Sequence, residues 1–154
     1  MDKVIASLRA HQLTIATIES FTGGLLSDAF INHPGISDVF VQGVTLYQPE
    51  SKRRWLGLTS QQFDSLNLVS VSMIEQLLKK GIANQMANIV IATTGNAGPS
   101  VQPHSTLGEV VIGVSNGKHS LTEKLMLKGN RKDIRLQGVQ ATFVLLERFI
   151  STYY

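Results

Sequence analysis

Cysteine is absent from all 154 residues, which excludes disulfides, thiolate metal sites and a cysteine nucleophile and leaves the apolar core to hold the fold. Aromatic residues are scarce too, at 6%, whereas a nucleic-acid groove needs aromatics interleaved with clustered cations. The net charge is +3, but the basic residues are scattered apart from short pairs such as Arg53-Arg54 and Lys79-Lys80. No nucleic-acid partner is expected, and a small anionic ligand accounts equally well for the mild positive balance. No apolar run approaches the roughly 18 residues that span a bilayer. The charges of Asp2, Lys3 and Arg9 interrupt any signal-peptide core. The expectation is a cytoplasmic protein with no membrane partner.

Familiar chemical motifs are missing as well. There is no Gly-x-Gly-x-x-Gly, no P-loop, no His-Glu-x-x-His and no Gly-x-Ser-x-Gly, which disfavours dinucleotide, triphosphate and zinc chemistry. His11, His33, His104 and His119 stand alone without ligand spacing, so neither a metal nor a cofactor is expected. Ser115-x-x-Lys118 matches a Ser-x-x-Lys string, but it straddles a turn, where the two groups are not aligned as they are on a helix.

What remains is 43% hydrophobic and 16% charged, consistent with one globular domain over 1–154 that buries roughly two thirds of its unfolded surface. Periodicity predicts a helix from about Asp2 to His11, then a strand over Leu13–Ile18. Thr22 before Gly23-Gly24 reads as an N-cap or first turn, opening a second helix that must stop before Pro34-Gly35. Val39–Tyr47 is a second strand, and Pro49-Glu50 starts a helix. Thr59-x-x-Gln62 and Ser72-x-x-Glu75 match capping boxes, the latter opening a helix to about Gln85. Asn88–Thr94 is a buried strand. Leu107–Ser115 and His119–Leu127, joined at Asn116-Gly117, predict a hairpin with a type I′ turn. Asn130 to about Thr152 is a closing helix, with Asn130 placed as its cap and Asp133 as an early acid. Helices alternating with strands before a late antiparallel hairpin imply a three-layer α/β/α sandwich with a mixed, mainly parallel sheet.

The segment from Glu19 to Lys52 concentrates the reactive groups. A Glu-Ser-Phe-Thr-Gly-Gly turn at the end of a strand is followed by Ser37, Tyr47 and Lys52. A hydroxyl, a phenol and an amine support nucleophilic chemistry without cysteine or metal. Backbone N–H groups at Gly23-Gly24 suit an anion, although the same glycines also serve ordinary turns. By spacing alone, Ser37 and Lys52 read equally as a loop serine and a surface lysine. The Gly95-Asn-Ala-Gly-Pro99 turn offers a second ligand-facing loop.

Taken together, Glu19-Ser20-Phe-Thr22-Gly23-Gly24, Pro34-Gly35-Ile-Ser37, Tyr47-Gln-Pro-Glu-Ser-Lys52 and Thr94-Gly95-Asn-Ala97-Gly98-Pro99 resemble the C-terminal domain family of the competence/damage-inducible protein CinA. The likeness covers nearly the whole chain. Gly129-Asn-Arg131 and Arg135 resemble the family's late arginine motif. The resemblance implies a nicotinamide-nucleotide amidase of the pyridine nucleotide cycle, converting nicotinamide mononucleotide to nicotinate mononucleotide and ammonia, and a homo-oligomer. Carried over onto the family's Gly-Ser-Ser and Tyr-Ser-Asn-x-x-Lys patterns, the nucleophile falls on Ser37, the base on Lys52 and an orienting phenol on Tyr47. Ser20, Thr22, Gly23, Gly24, Gly95, Ala97 and Gly98 would bind the substrate, and Arg131 would grip its phosphate. The chain departs from the family at Phe21 (cysteine in the pattern), Gln48-Pro49, Val71, Asn96 and the segment 100–106. These departures support a second reading, a catalytically weakened paralogue that binds a nucleotide or regulates.

Overall fold

The computed structural model describes residues 1–154. Its elements are α1 (Asp2–Ala10), β1 (Ile15–Glu19), α2 (Leu25–Ile31), β2 (Phe40–Thr45), α3 (Pro49–Leu56), α4 (Ser60–Asp64), α5 (Val71–Ala83), β3 (Ile89–Gly95), β4 (Glu109–Ser115), β5 (Ser120–Met126) and α6 (Arg131–Tyr153), with a 3₁₀ turn at Ile36–Asp38. The five strands form one sheet in the order β2-β1-β3-β4-β5. β1 pairs in parallel with β2 and β3, while β4 runs antiparallel to both β3 and β5. Four strands thus point one way and β4 alone opposes them, the mixed, mainly parallel sheet expected from the alternation of elements.

Strand side chains alternate between two apolar layers because successive residues face opposite sides of the sheet. Ile15, Ile89, Ile91, Ile112 and Val114 pack with Leu8 of α1, Phe30 of α2 and Leu146 and Phe149 of α6. Ala16, Ile18, Val90, Ala92 and Val111 pack with Phe63 of α4 and Met73, Ile74, Leu77 and Leu78 of α5. Both faces are covered, so β1 and β3 are buried along almost their whole length. Phe30, fully buried, meets Phe40 and Phe143 with ring centroids 5.8 and 4.7 Å away.

Three local expectations need correction. The cap of α5 is Ser70, whose hydroxyl accepts from the Met73 N–H at 3.1 Å, so Ser72 lies inside the helix rather than at its start. In the hairpin, Asn116 pairs with His119, which makes Gly117-Lys118 the central turn residues. Only Gly117 has positive φ, at +85°, the mark of a type II′ rather than a type I′ turn. Asn116 instead accepts from the Lys118 and His119 N–H groups through its side-chain oxygen. Third, Thr22 is not the cap of α2. That helix starts after Gly24, which has φ +96°, and a carboxylate caps it.

Candidate active site

The carboxylate belongs to Glu19, the last residue of β1, and it is 1% exposed. Its two oxygens accept from the N–H groups of Gly24, Leu26 and Ser27 at 2.8–3.1 Å and from the Ser27 hydroxyl. The start of α2 is thereby neutralised from within the chain. This corrects the reading of the glycine turn as an anion cradle, because the Gly24 N–H already holds Glu19 and the Gly23 N–H donates to the Ser20 carbonyl at 3.1 Å. Thr22 is buried with its hydroxyl 3.0 Å from that of Thr93, and neither it nor Gly23 nor Gly24 lines the cleft described below. Arg135, from α6, donates to the Phe21 and Thr22 carbonyls and ties the turn down from the other side.

Of that turn, Ser20 and Phe21 reach a cleft of about 240 Å³ at the carboxyl ends of β1, β2 and β3, a usual ligand position in open α/β sheets. Tyr47, Lys52, Gly95, Ala97, Gly98 and Arg131 line it as well. Lys52, in the first turn of α3, is 3% exposed. Its ammonium donates to Ser20 Oγ at 2.8 Å. No carboxylate lines the cleft, so burial without an anionic partner lowers the Lys52 pKa to about 8. At neutral pH a usable share of this lysine is an unprotonated amine beside a hydroxyl, the pairing that turns serine into a nucleophile.

Ser37 is elsewhere. It sits exposed in the 3₁₀ turn that precedes β2, whereas Tyr47 and Lys52 follow β2. The six residues of that strand separate them, a span of roughly 20 Å. Lys52 therefore meets Ser20, not Ser37. Spacing along the chain gave no sign of this, because parallel strands β1 and β2 bring their distant carboxyl ends together. The signal that could have found it was the position of Ser20 immediately after a strand ending in Glu19.

Tyr47 is 56% exposed, and its oxygen accepts from Arg131 at 2.5 Å. Arg131 also donates to the Gly98 carbonyl, so its guanidinium bridges two walls of the cleft mouth. The N–H groups of Phe21, Ala97 and Gly98 make no hydrogen bond within the chain. Phe21 is 4% exposed and packs with Ala97, Val110 and Ile134, its ring lying over Gly138 of α6. The bulk that replaces the family's cysteine is thus taken up by a glycine on a neighbouring helix, and the cleft stays open. Asn96 and the segment after Pro99 form a connected pair of departures. The Asn96 amide donates to Ser105 Oγ and the Thr106 carbonyl and accepts from the Gln102 N–H.

A family model for the CinA C-terminal domain matches residues 1–150. A putative competence-damage inducible protein of Clostridium acetobutylicum is 40% identical over 152 residues, and one of Caldanaerobacter subterraneus is 34% identical over 149. They cover 97% and 96% of this chain, which in turn spans 36% of the length of each. Among solved structures, a competence-damaged protein (CinA) superfamily protein from Klebsiella pneumoniae superposes with a TM-score of 0.91 at 22% identity, covering 98% of this chain and 95% of its own. The competence/damage inducible protein CihA from Agrobacterium tumefaciens superposes at 0.84 with 25% identity, covering 97% of this chain and 91% of its own. Sequence motifs, strand order and these relatives agree: the chain belongs to the CinA C-terminal domain family.

Proposed function

We propose that the cleft is the active site of an amidohydrolase in which Ser20 is the nucleophile and Lys52 its base. The observation that carries this reading is the 2.8 Å contact between Lys52 Nζ and Ser20 Oγ in a cleft without carboxylates. Neutral Lys52 takes the hydroxyl proton as Ser20 Oγ attacks the carboxamide carbon. The tetrahedral oxyanion needs donors, and the N–H groups of Phe21, Ala97 and Gly98 are uncommitted. Lys52 then passes the proton to the departing amine, releasing ammonia and leaving an ester on Ser20. Water, deprotonated by Lys52, attacks the ester, and the carboxylic acid leaves as Lys52 returns the proton to Ser20 Oγ.

The substrate assigned is nicotinamide mononucleotide, on the strength of the family likeness and of a cation-lined cleft mouth. Arg131 would exchange its hold on Tyr47 and Gly98 for the phosphate, a fork of donors suited to that group. A nucleotide binder without turnover is the second reading, favoured by the departures at Gln48-Pro49 and in the pinned segment 100–106.

Ammonia release from nicotinamide mononucleotide tests the assignment. Ser20→Ala and Lys52→Ala should each lower kcat by at least about 10²-fold, and Ser37→Ala should leave it unchanged. A parent protein that binds the mononucleotide but releases no ammonia would replace the amidase with the binder.

A further inference from the structure

The cleft that holds Ser20 and Lys52 is small for a nucleotide. At about 240 Å³ it falls short of the roughly 300–1,000 Å³ of most ligand sites. A second cavity of about 240 Å³ adjoins it. Pro49, Leu68 and Gln102 line both, so these three residues form the sill between two compartments of one depression, and together the two reach the ordinary range. None of Ser20, Tyr47, Lys52 or Arg131 lines the second compartment, which therefore lies apart from the reacting groups and from Arg131.

Its lining combines an apolar wall with polar groups. Phe63 from α4 and Leu66 after it form one side, and Pro103 faces them from the segment 100–106. Asp64 and His104, both exposed, stand at the rim. The far wall is held in place at two points. Asn96 fixes Gln102, Ser105 and Thr106, and the Asn67 amide donates to the His104 carbonyl at 3.3 Å. The loop that departs most from the family pattern is thus secured so as to enclose this space.

We infer that the second compartment is a subsite for an uncharged planar heteroaromatic group carried by the substrate beyond its phosphate. Aromatic and proline faces favour a flat ring. The Asp64 carboxylate, which lines this compartment, accepts from a ring amino group. The inference rests on the amidase reading of the first compartment and extends it to ligands with two ring systems.

Calorimetry on the Ser20→Ala protein compares nicotinamide mononucleotide with nicotinamide adenine dinucleotide, which adds such a ring through a second phosphate and a ribose. The dinucleotide should bind at least about ten-fold more tightly. Leu66→Trp, from the wall, and Asp64→Phe, from the rim, should each abolish that advantage and leave mononucleotide affinity unchanged. Equal affinity for the two ligands, an advantage that survives both fillings, or binding of neither ligand overturns the inference. Ammonia release by the parent protein is measured in parallel. A dinucleotide advantage without turnover supports the subsite while overturning the amidase, and turnover of the mononucleotide without that advantage does the reverse.

Discussion

Lys52 shows how a reactive group is set by its surroundings at the scale of one residue. Its folded pKa is about 8 against an ordinary 10.5, so between those pH values the unfolded chain binds more protons than the folded one. Stability therefore rises with pH across this window, and below pH 8 the penalty of burying the ammonium is present in full. Lys52→Met should stabilise the protein at pH 7 by about 2–3 kcal/mol, with the gain fading by pH 10.5, as read by chemical denaturation at both pH values. The same substitution should abolish hydrolysis. In the parent, kcat/KM should climb through a single ionisation near pH 8 as Lys52 loses its proton. Glu19, its sequence neighbour in the Glu-Ser pair, has a different task. Glu19→Ala leaves three buried or half-buried N–H groups of α2 without acceptors and should cost about 3 kcal/mol or more in thermal or denaturant unfolding. Glu19→Gln, which keeps one acceptor oxygen, should cost less. Both residues were visible as a motif, but not which was chemical and which structural, because that distinction depends on what each side chain touches.

Among elements, α6 secures the turn that carries the nucleophile. Arg135 holds the Phe21 and Thr22 carbonyls, and Gly138 leaves room for the Phe21 ring. A Cβ at Gly138 would lie 2.4 Å from Phe21 Cζ. Replacing a helical glycine by alanine ordinarily gains up to about 1 kcal/mol. Here Gly138→Ala should instead destabilise by about 1–3 kcal/mol through overpacking. Combined with Phe21→Cys, the same alanine should recover most of the loss, a coupling that a double-mutant cycle measures. The caps of α4 and α6 were legible as Thr59-x-x-Gln62 and Asn130-x-x-Asp133, and both close as reciprocal capping boxes. The ends of α5 and of the hairpin turn each moved by a residue or two, because Ser70 and Ser72 offer the same local chemistry, as do neighbouring positions of an Asn-Gly-Lys turn.

For the whole molecule, the sheet order sets both stability and the position of the site. β1, β3 and β4 are flanked on both sides, whereas β2 and β5 are edges, and β2 exposes Val41 at 53%. Amide exchange should accordingly be slowest in β1, β3 and β4 and approach the global unfolding limit there. It should be at least about ten-fold faster in β2 and β5. Uniform protection across all five strands would contradict this ordering. Hydrophobic periodicity, glycine and proline placement and capping patterns are local properties, so the chain by itself determined the element sequence, the layered α/β/α architecture and the residue types available for chemistry. Which serine meets Lys52 was decided only by the parallel alignment of β1 with β2. That alignment puts the residue after Glu19 beside the residues after Thr45 and carries Ser37 to the opposite end of the strand. Contacts between residues 32 positions apart depend on strand order and register, and these are fixed by burying both faces of the sheet at once.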